Sequence, residues 1–296
     1  MRTTNKVTLV IMLLSLLAGC TSQAGYADKS NGNFNASGRI TVVSREDGSG
    51  TRGAFIELVG IEDKDINGSK VDRTTDEAII VNSTSIVMTT VSGNPYAIGY
   101  ISLGSLNDTV KAVKVDSVEA SVENIQNDLY KVARPFNIAP KKNPSELVMD
   151  FINYILSSEG RQIIEKNGYI PVSDIQGYTS LKLSGKITIA GSSSVTPVME
   201  KLKEAYKTVN PNADIELQLS DSSTGMSSAI NGTCDIGMAS RELKSSELEK
   251  GLVPIVMAMD GIAVIVNREN PADNLTTDQI HSIFTGETES WNEFVQ

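Results

Sequence analysis

Two stretches of this chain gather short hydroxyls, glycines and free backbone amides in the way an oxyanion requires. One runs Val42-Val43-Ser44-Arg45-Glu46-Asp47-Gly48-Ser49-Gly50-Thr51-Arg52-Gly53, the other Ala190-Gly191-Ser192-Ser193-Ser194-Val195-Thr196-Pro197. Each follows a β-type apolar run and leads into an amphipathic one, so a helix N-terminus lies beside the hydroxyls. The first amides of a helix have no intrahelical acceptor and carry the positive end of its dipole, which suits an anion. In the first stretch Gly48 and Gly50 let the amides of Ser49, Gly50 and Thr51 converge, and Arg45 can offer a bidentate guanidinium. Asp47 is out of place beside an anion; it either orients Arg45 or accepts a proton from the ligand. Two further clusters, Ser220-Asp221-Ser222-Ser223-Thr224-Gly225 and Ala239-Ser240-Arg241-Glu242, also follow β-type runs. Four such clusters at strand C-termini fit the rule that α/β folds bind ligands outside the carboxyl ends of their strands.

Catalysis is a poorer reading of the same residues. Gly48 to Gly53 matches only half of a P-loop, because Ala54-Phe55 stands where Lys-Ser/Thr is required. The one histidine, His281, falls on a predicted surface helix, no G-x-S-x-G elbow occurs, and no His/Cys group has zinc spacing. Asp63 and Asp65 sit in a polar loop and read as solvated. The chain is therefore expected to be a binding protein rather than an enzyme, with no cofactor and no metal.

The elements that position these loops alternate. Strands are predicted at Arg39–Ser44, Tyr96–Ile101 and Val110–Val115, an extended stretch at Tyr130–Ile138, and further strands at Lys186–Ala190, Asp214–Ser220 and Asp235–Ala239. Helices are predicted at Thr51–Val59, at Thr75–Asn82 and Ser85–Val91, over the long periodic run Ser145–Asn167, and at Thr196–Val209, Ser223–Asn231 and Thr277–Phe284. The nearly continuous apolar runs Val253–Met257 and Gly261–Asn267 read as two buried parallel strands. Alternation of this kind argues an α/β fold with mainly parallel sheets.

The N-terminus points outside the cytoplasm. Arg2 and Lys6 precede an apolar run from Val7 to Leu17, too short for a membrane span but suited to a signal peptide. It ends in Leu17-Ala18-Gly19-Cys20, which resembles the lipobox of bacterial lipoproteins, so residues 1–19 are expected to be removed and Cys20 lipidated. Residues 20–37 read as a polar stalk. With 26 Lys and Arg against 36 Asp and Glu the net charge is −10, which excludes a general nucleic-acid binder. It does not exclude a small anion, because hydroxyls, amides and one arginine attract locally.

Taken together, the four loops resemble those of the phosphate-binding lipoproteins of bacterial phosphate ABC transporters. The resemblance runs from Gly38 onward and implies a two-lobed α/β fold of the type 2 periplasmic-binding-protein class, with a hinge. It implies an extracytoplasmic, membrane-anchored monomer that takes inorganic phosphate and hands it to membrane permease subunits. The positions matching Ser193, Ser194 and Thr196 bind phosphate through hydroxyls and amides, and the one matching Ser222 donates a hydroxyl. Those matching Arg45, Ser49, Gly50 and Thr51 form the opposite wall. The best-known members carry, just after the serine matched by Ser240, an aspartate that accepts the proton of hydrogen phosphate and so rejects sulfate. Here Arg241 stands there. Either Arg241 adds a charged contact or another acceptor, such as Asp47, discriminates. Sulfate, molybdate or another oxyanion, and a sensor role without transport, remain alternatives.

The order of the loops also departs from the resemblance: the Arg-Glu-Asp-Gly-Ser-Gly-Thr loop, normally later, comes first. Joining the end of the chain to about Gly38 restores the usual order, so the fold is expected to be circularly permuted; a misassembled gene is the competing explanation. One lobe should then combine 38–135 with 267–296 and the other span 136–266, joined by crossovers at Val132–Ile138 and Gly261–Asn267.

Overall fold

The computed structural model describes residues 34–67, 69–172 and 177–295. The expected leader, Cys20 and most of the stalk lie outside the described residues. In chain order the first part carries β1 (Thr41–Arg45), α1 (Gly50–Leu58), β2 (Glu62–Lys64), β3 (Lys70–Asp72), β4 (Ile79–Val81), α2 (Thr84–Ser92), β5 (Ala97–Ser102), β6 (Lys111–Ala112), β7 (Lys114–Val115) and α3 (Val122–Gln126). There follow β8 (Ala133–Pro140), α4 (Glu146–Leu156), α5 (Ser158–Lys166), β9 (Ile170–Pro171), β10 (Gly185–Ser192), α6 (Thr196–Val209), β11 (Ala213–Ser220), α7 (Ser222–Asn231) and β12 (Ile236–Ala239). The last elements are α8 (Ser245–Glu249), β13 (Ile255–Val266), β14 (Asn274–Leu275) and α9 (Thr277–Thr285). Among the described residues no helix is long and apolar enough to cross a membrane.

One mixed sheet runs through the molecule in the order β11-β10-β12-β8-β13-β5-β1-β4, with β6 and β9 both paired to β13. Parallel pairing holds at its two ends, where β10 joins β11 and β12 and where β1 joins β4 and β5. In the middle, β8 and β13 lie antiparallel to each other and to their outer neighbours. The apolar side chains divide accordingly. One buried cluster draws on residues 40–132 and 262–291, with Phe55 stacked on Tyr100 at 4.0 Å between ring centroids and Phe284 edge-on at 4.9 Å. A second draws on 136–258 around Phe136, Phe151 and Tyr206, with a smaller satellite that includes Met226 and Leu252.

Several elements differ from expectation, each for a physical reason. The two runs read as separate parallel strands are one twelve-residue strand, β13, antiparallel to β8 and β5. A strand buried on both faces reads as continuous apolar sequence whichever way its neighbours run. Asp260, which falls in the gap between the two runs, is buried within the strand, where it accepts from Arg134 at 3.2 Å and from Ser102 at 3.0 Å. The expected helix Thr75–Asn82 contains instead the strand β4, laid in register along Val43 to Arg45; pairing to β1 overrides weak local preference. The long helix Ser145–Asn167 is two helices. Ser157 between them is extended, and its hydroxyl donates to the Tyr154 carbonyl and accepts from the Gly160 amide, so it ends α4 and caps α5.

The stalk boundary also moves, since Phe34 already packs on Tyr96 and Trp291. Trp291 is buried and donates to the Tyr96 carbonyl. The amide of Ile40 donates to the Glu289 carbonyl at 2.8 Å, and Arg39 pairs with Ser290 in an antiparallel bridge. The two ends of the described chain are thus stitched to each other.

Candidate functional site

Each predicted loop takes up its position for a local reason. β1 delivers Arg45 to the end of the sheet, and a turn closed by the Ser49 amide on the Glu46 carbonyl leads into α1. Ser49 is the N-cap of α1, accepting from the Arg52 amide, so Gly50 and Thr51 occupy the first turn, where amides lack intrahelical acceptors. On the other side β10 ends at Ser192, and α6 starts at Thr196 with Pro197 in its first turn. Asp221 caps α7 by accepting from the Thr224 amide at 2.8 Å, which sets Ser222 at its first position. Ser240 follows directly on β12.

These elements converge on one buried cluster of hydroxyls. Thr51 Oγ1 lies 2.8 Å from Ser194 Oγ and 3.4 Å from Ser240 Oγ. Ser240 Oγ accepts from Ser192 Oγ at 3.0 Å and lies 3.5 Å from Ser222 Oγ, which accepts from the Ser240 amide. Thr84, at the start of α2, lies 3.2 Å from Ser194 Oγ and 3.5 Å from Ser193 Oγ. Two helix starts, those of α1 and α2, therefore meet the Ser192–Ser194 loop, and that of α7 joins them through Ser240. Among the described residues no carboxylate hydrogen-bonds to any of these hydroxyls. The cluster is a set of neutral donors, able to surround an anion and ill suited to a cation.

Arg45 is the buried charge beside it. Its side chain is 3% exposed, and its Nε and Nη2 donate to both oxygens of Glu46 at 2.8 and 2.7 Å. Its amide donates to Tyr100 Oη, which also lies 2.7 Å from Ser44 Oγ; burial pushes the Tyr100 phenol up, so it stays a neutral partner. Arg52 fixes the loop from behind, donating to the Arg45 carbonyl at 2.7 Å and pairing with Asp47 at 2.9 Å and Asp72 at 2.7 Å.

The site residues expected from the sequence divide at this point. Ser49, Gly50, Thr51, Ser193, Ser194, Ser222 and Ser240 come together, with Arg45 at the end of the neighbouring strand. Asp47 does not join them. It is 97% exposed at the tip of the turn and pairs with Arg52, while Glu46 orients Arg45. The Thr196 hydroxyl is turned back onto the Ser192 carbonyl at 3.0 Å, so it braces the loop rather than facing the cluster. Arg241 follows Ser240, but its guanidinium forms a bidentate pair with Glu247 at 2.8 and 2.9 Å and reaches Ser223 Oγ at 3.3 Å. Burial would raise the Glu247 carboxyl, yet the hydrogen bonds from Arg241 and the Lys244 amide outweigh it and hold the carboxyl below its ordinary value. Replacing Asp47 with Asn should leave ligand affinity within about threefold in a calorimetric titration, because an exposed pair of this kind contributes little.

Thr84 was not anticipated. Ser83-Thr84-Ser85 follows a short strand and opens a helix, the same signature as the other loops, but reading its strand as a helix concealed the junction.

A sequence model of the PBP superfamily domain matches residues 23–159 and 176–296. The chain is 54% identical over 284 residues to phosphate-binding protein PstS 2 of Streptococcus agalactiae, covering 96% of this chain and 94% of that one. It is 44% identical to phosphate-binding protein PstS 2 of Streptococcus pneumoniae, covering 94% and 93%. The crystal structure of a phosphate ABC transporter phosphate-binding protein from S. pneumoniae superposes with a TM-score of 0.69 at 45% identity, covering 87% of this chain and 100% of that one. Sequential matches of this extent require the same order of loops, so the order is not peculiar to this chain. With the four loops, the mixed sheet and end-to-end similarity in agreement, the chain belongs to the PBP superfamily, with the α/β fold of type 2 periplasmic-binding proteins, in the family of these phosphate-binding proteins.

Proposed function

We propose that this chain captures inorganic phosphate outside the cytoplasm and delivers it to the permease of an ABC transporter, without chemical turnover. The observation that carries this reading is the buried cluster of hydroxyls and helix N-termini beside Arg45. Neutral donors can satisfy the many lone pairs of a tetrahedral oxyanion, and one guanidinium supplies the charge. The names of the relatives support phosphate as the ligand. Calorimetry should give a dissociation constant in the micromolar range or tighter; no binding at about 1 mM phosphate would overturn the reading.

The proposed mechanism is closure of two lobes, 38–135 with 267–296 and 136–266, on strands β8 and β13. The division of the apolar clusters supports it, and closure would exclude water and strengthen each hydrogen bond to the ligand. Circular permutation accounts for the loop order, supported by the stitching of Ile40 to Glu289. The Leu17-Ala18-Gly19-Cys20 motif supports a lipid anchor on a monomeric receptor. A second reading keeps the fold and takes sulfate or molybdate, because Arg241 stands where the best-known members carry a proton-accepting aspartate. Competition by sulfate at neutral pH separates the two: displacement of phosphate at comparable concentration favours the second.

A further inference from the structure

Buried polar side-chain atoms without a hydrogen-bond partner are rare in folded proteins and call for an explanation. Among the described residues six such atoms occur, and five of them lie on Arg134, Ser105, Asn137 and Tyr169. The strongest case is Arg134. Its side chain is 2% exposed, and Nη2 donates to Asp260 Oδ2 at 3.2 Å, but Nε and Nη1 have no partner. Asp260 takes neither of them: its Oδ2 accepts from Nη2, and its Oδ1 accepts from Ser102 at 3.0 Å and from the Gly104 amide at 3.5 Å. The Phe136 ring lies 5.5 Å from the guanidinium carbon and offers no lone pair. Leaving two donors of a buried cation unmatched is costly, so an acceptor is expected there.

The position of Arg134 says what that acceptor is. Arg134 lies on β8, three residues before Asn137, which pairs across the sheet with Ala239, the residue before Ser240. It lines a cleft of about 810 Å³ together with Ser49, Ser223 and Arg241. Ser105, whose buried hydroxyl is also unpartnered, lines a groove with Thr84, Ser193 and Thr196. Arg134 therefore borders a cleft that reaches the Ser49 loop, one wall of the hydroxyl cluster. The two buried guanidiniums, Arg45 and Arg134, each hold one carboxylate, Glu46 and Asp260, so their charges are balanced pairwise and what Arg134 adds is free N–H donors.

We propose that Arg134 is a second guanidinium donor to the bound oxyanion, reaching it from β8 through Nε and Nη1. The proposal rests on the reading of the hydroxyl cluster as an oxyanion site. It adds forked N–H donors from the strand pair at the centre of the sheet to the hydroxyls and amides that the loops supply.

The test uses the intact protein and inorganic phosphate. In protein labelled with 15N on arginine, the Arg134 Nε–H resonance should shift strongly on addition of phosphate, along with that of Arg45. Arg134→Lys keeps the charge for Asp260 but loses the forked donors, and should weaken phosphate binding at least about 100-fold in calorimetry, with the thermal midpoint of the ligand-free protein within a few degrees of the parent. An Arg134 Nε–H resonance unmoved by saturating phosphate would overturn the proposal, whatever the variant does. So would unchanged affinity in Arg134→Lys. Failure of the parent protein to bind phosphate at all would instead remove the underlying reading of the site.

Discussion

Arg45→Ala should reduce phosphate affinity by a factor of tens to thousands, measured by calorimetry at neutral pH. Arg45 is almost wholly buried, and its partner Glu46 lies on the same loop. Truncation removes a charged donor and also leaves the Glu46 carboxylate, 22% exposed, without its cation. Losing one partner of a buried, hydrogen-bonded charge pair typically costs about 2–5 kcal/mol. Arg45→Ala/Glu46→Gln separates the two effects: it should recover part of the loss, because the unpaired negative charge is gone. An affinity for Arg45→Ala within threefold of the parent would show that Arg45 does not touch the ligand.

The second large effect is steric, and it comes from one hydrogen atom replaced by a methyl. A Cβ on Gly50 would lie 2.5 Å from Ser222 Oγ, 2.9 Å from Ser240 Oγ and 3.0 Å from Arg241 Cγ. Gly50 is on the wall formed by α1, and all three contacts are on the wall formed by α7 and the end of β12. No torsion of Ser222 relieves the overlap without breaking its bond to the Ser240 amide. Gly50→Ala should therefore hold the walls apart and weaken phosphate binding by about 100-fold or more. The overlap arises only where the walls meet, and alanine suits the first turn of α1, so with the lobes parted the ligand-free protein should melt within a few degrees of the parent. A loss of affinity accompanied by a fall in melting temperature would point to misfolding instead of blocked approach.

Much of the site could be read locally and some of it could not. A run such as Ser192-Ser193-Ser194 before an amphipathic stretch signals a helix start with surplus hydroxyls, because capping needs only one of them. That signal needs no knowledge of the rest of the chain. Which carboxylate orients Arg45 is a different matter. Glu46 and Asp47 are adjacent in sequence, and only the geometry of the turn sends one inward and the other into solvent. The fate of Arg241 depends on Glu247, six residues on and in another element. The pairing of Arg134 with Asp260 joins residues more than a hundred positions apart, so nothing local to the gap between the two runs shows that the strand continues through it. The direction of β13 was hidden for the same reason: burial on both faces removes the alternation that would have shown its neighbours. Ser157 shows the reverse case, where a real break was hidden because the apolar period carries across from α4 into α5.

The division of the apolar clusters has a consequence for how the protein comes into being. One core is built from a single uninterrupted stretch, residues 136–258, while the other needs both 40–132 and 262–291. As a chain emerges N-terminal end first, from a ribosome or through a membrane pore, parts generally fold in order of appearance. Here that order is inverted. The strands that carry Arg45 and Tyr100 emerge early but have to wait for the second half of β13, for Phe284 of α9 and for Trp291 before their interior is closed. The later stretch can be complete while the earlier one still lacks its covering, and the wall that holds Arg45 is the last to be finished.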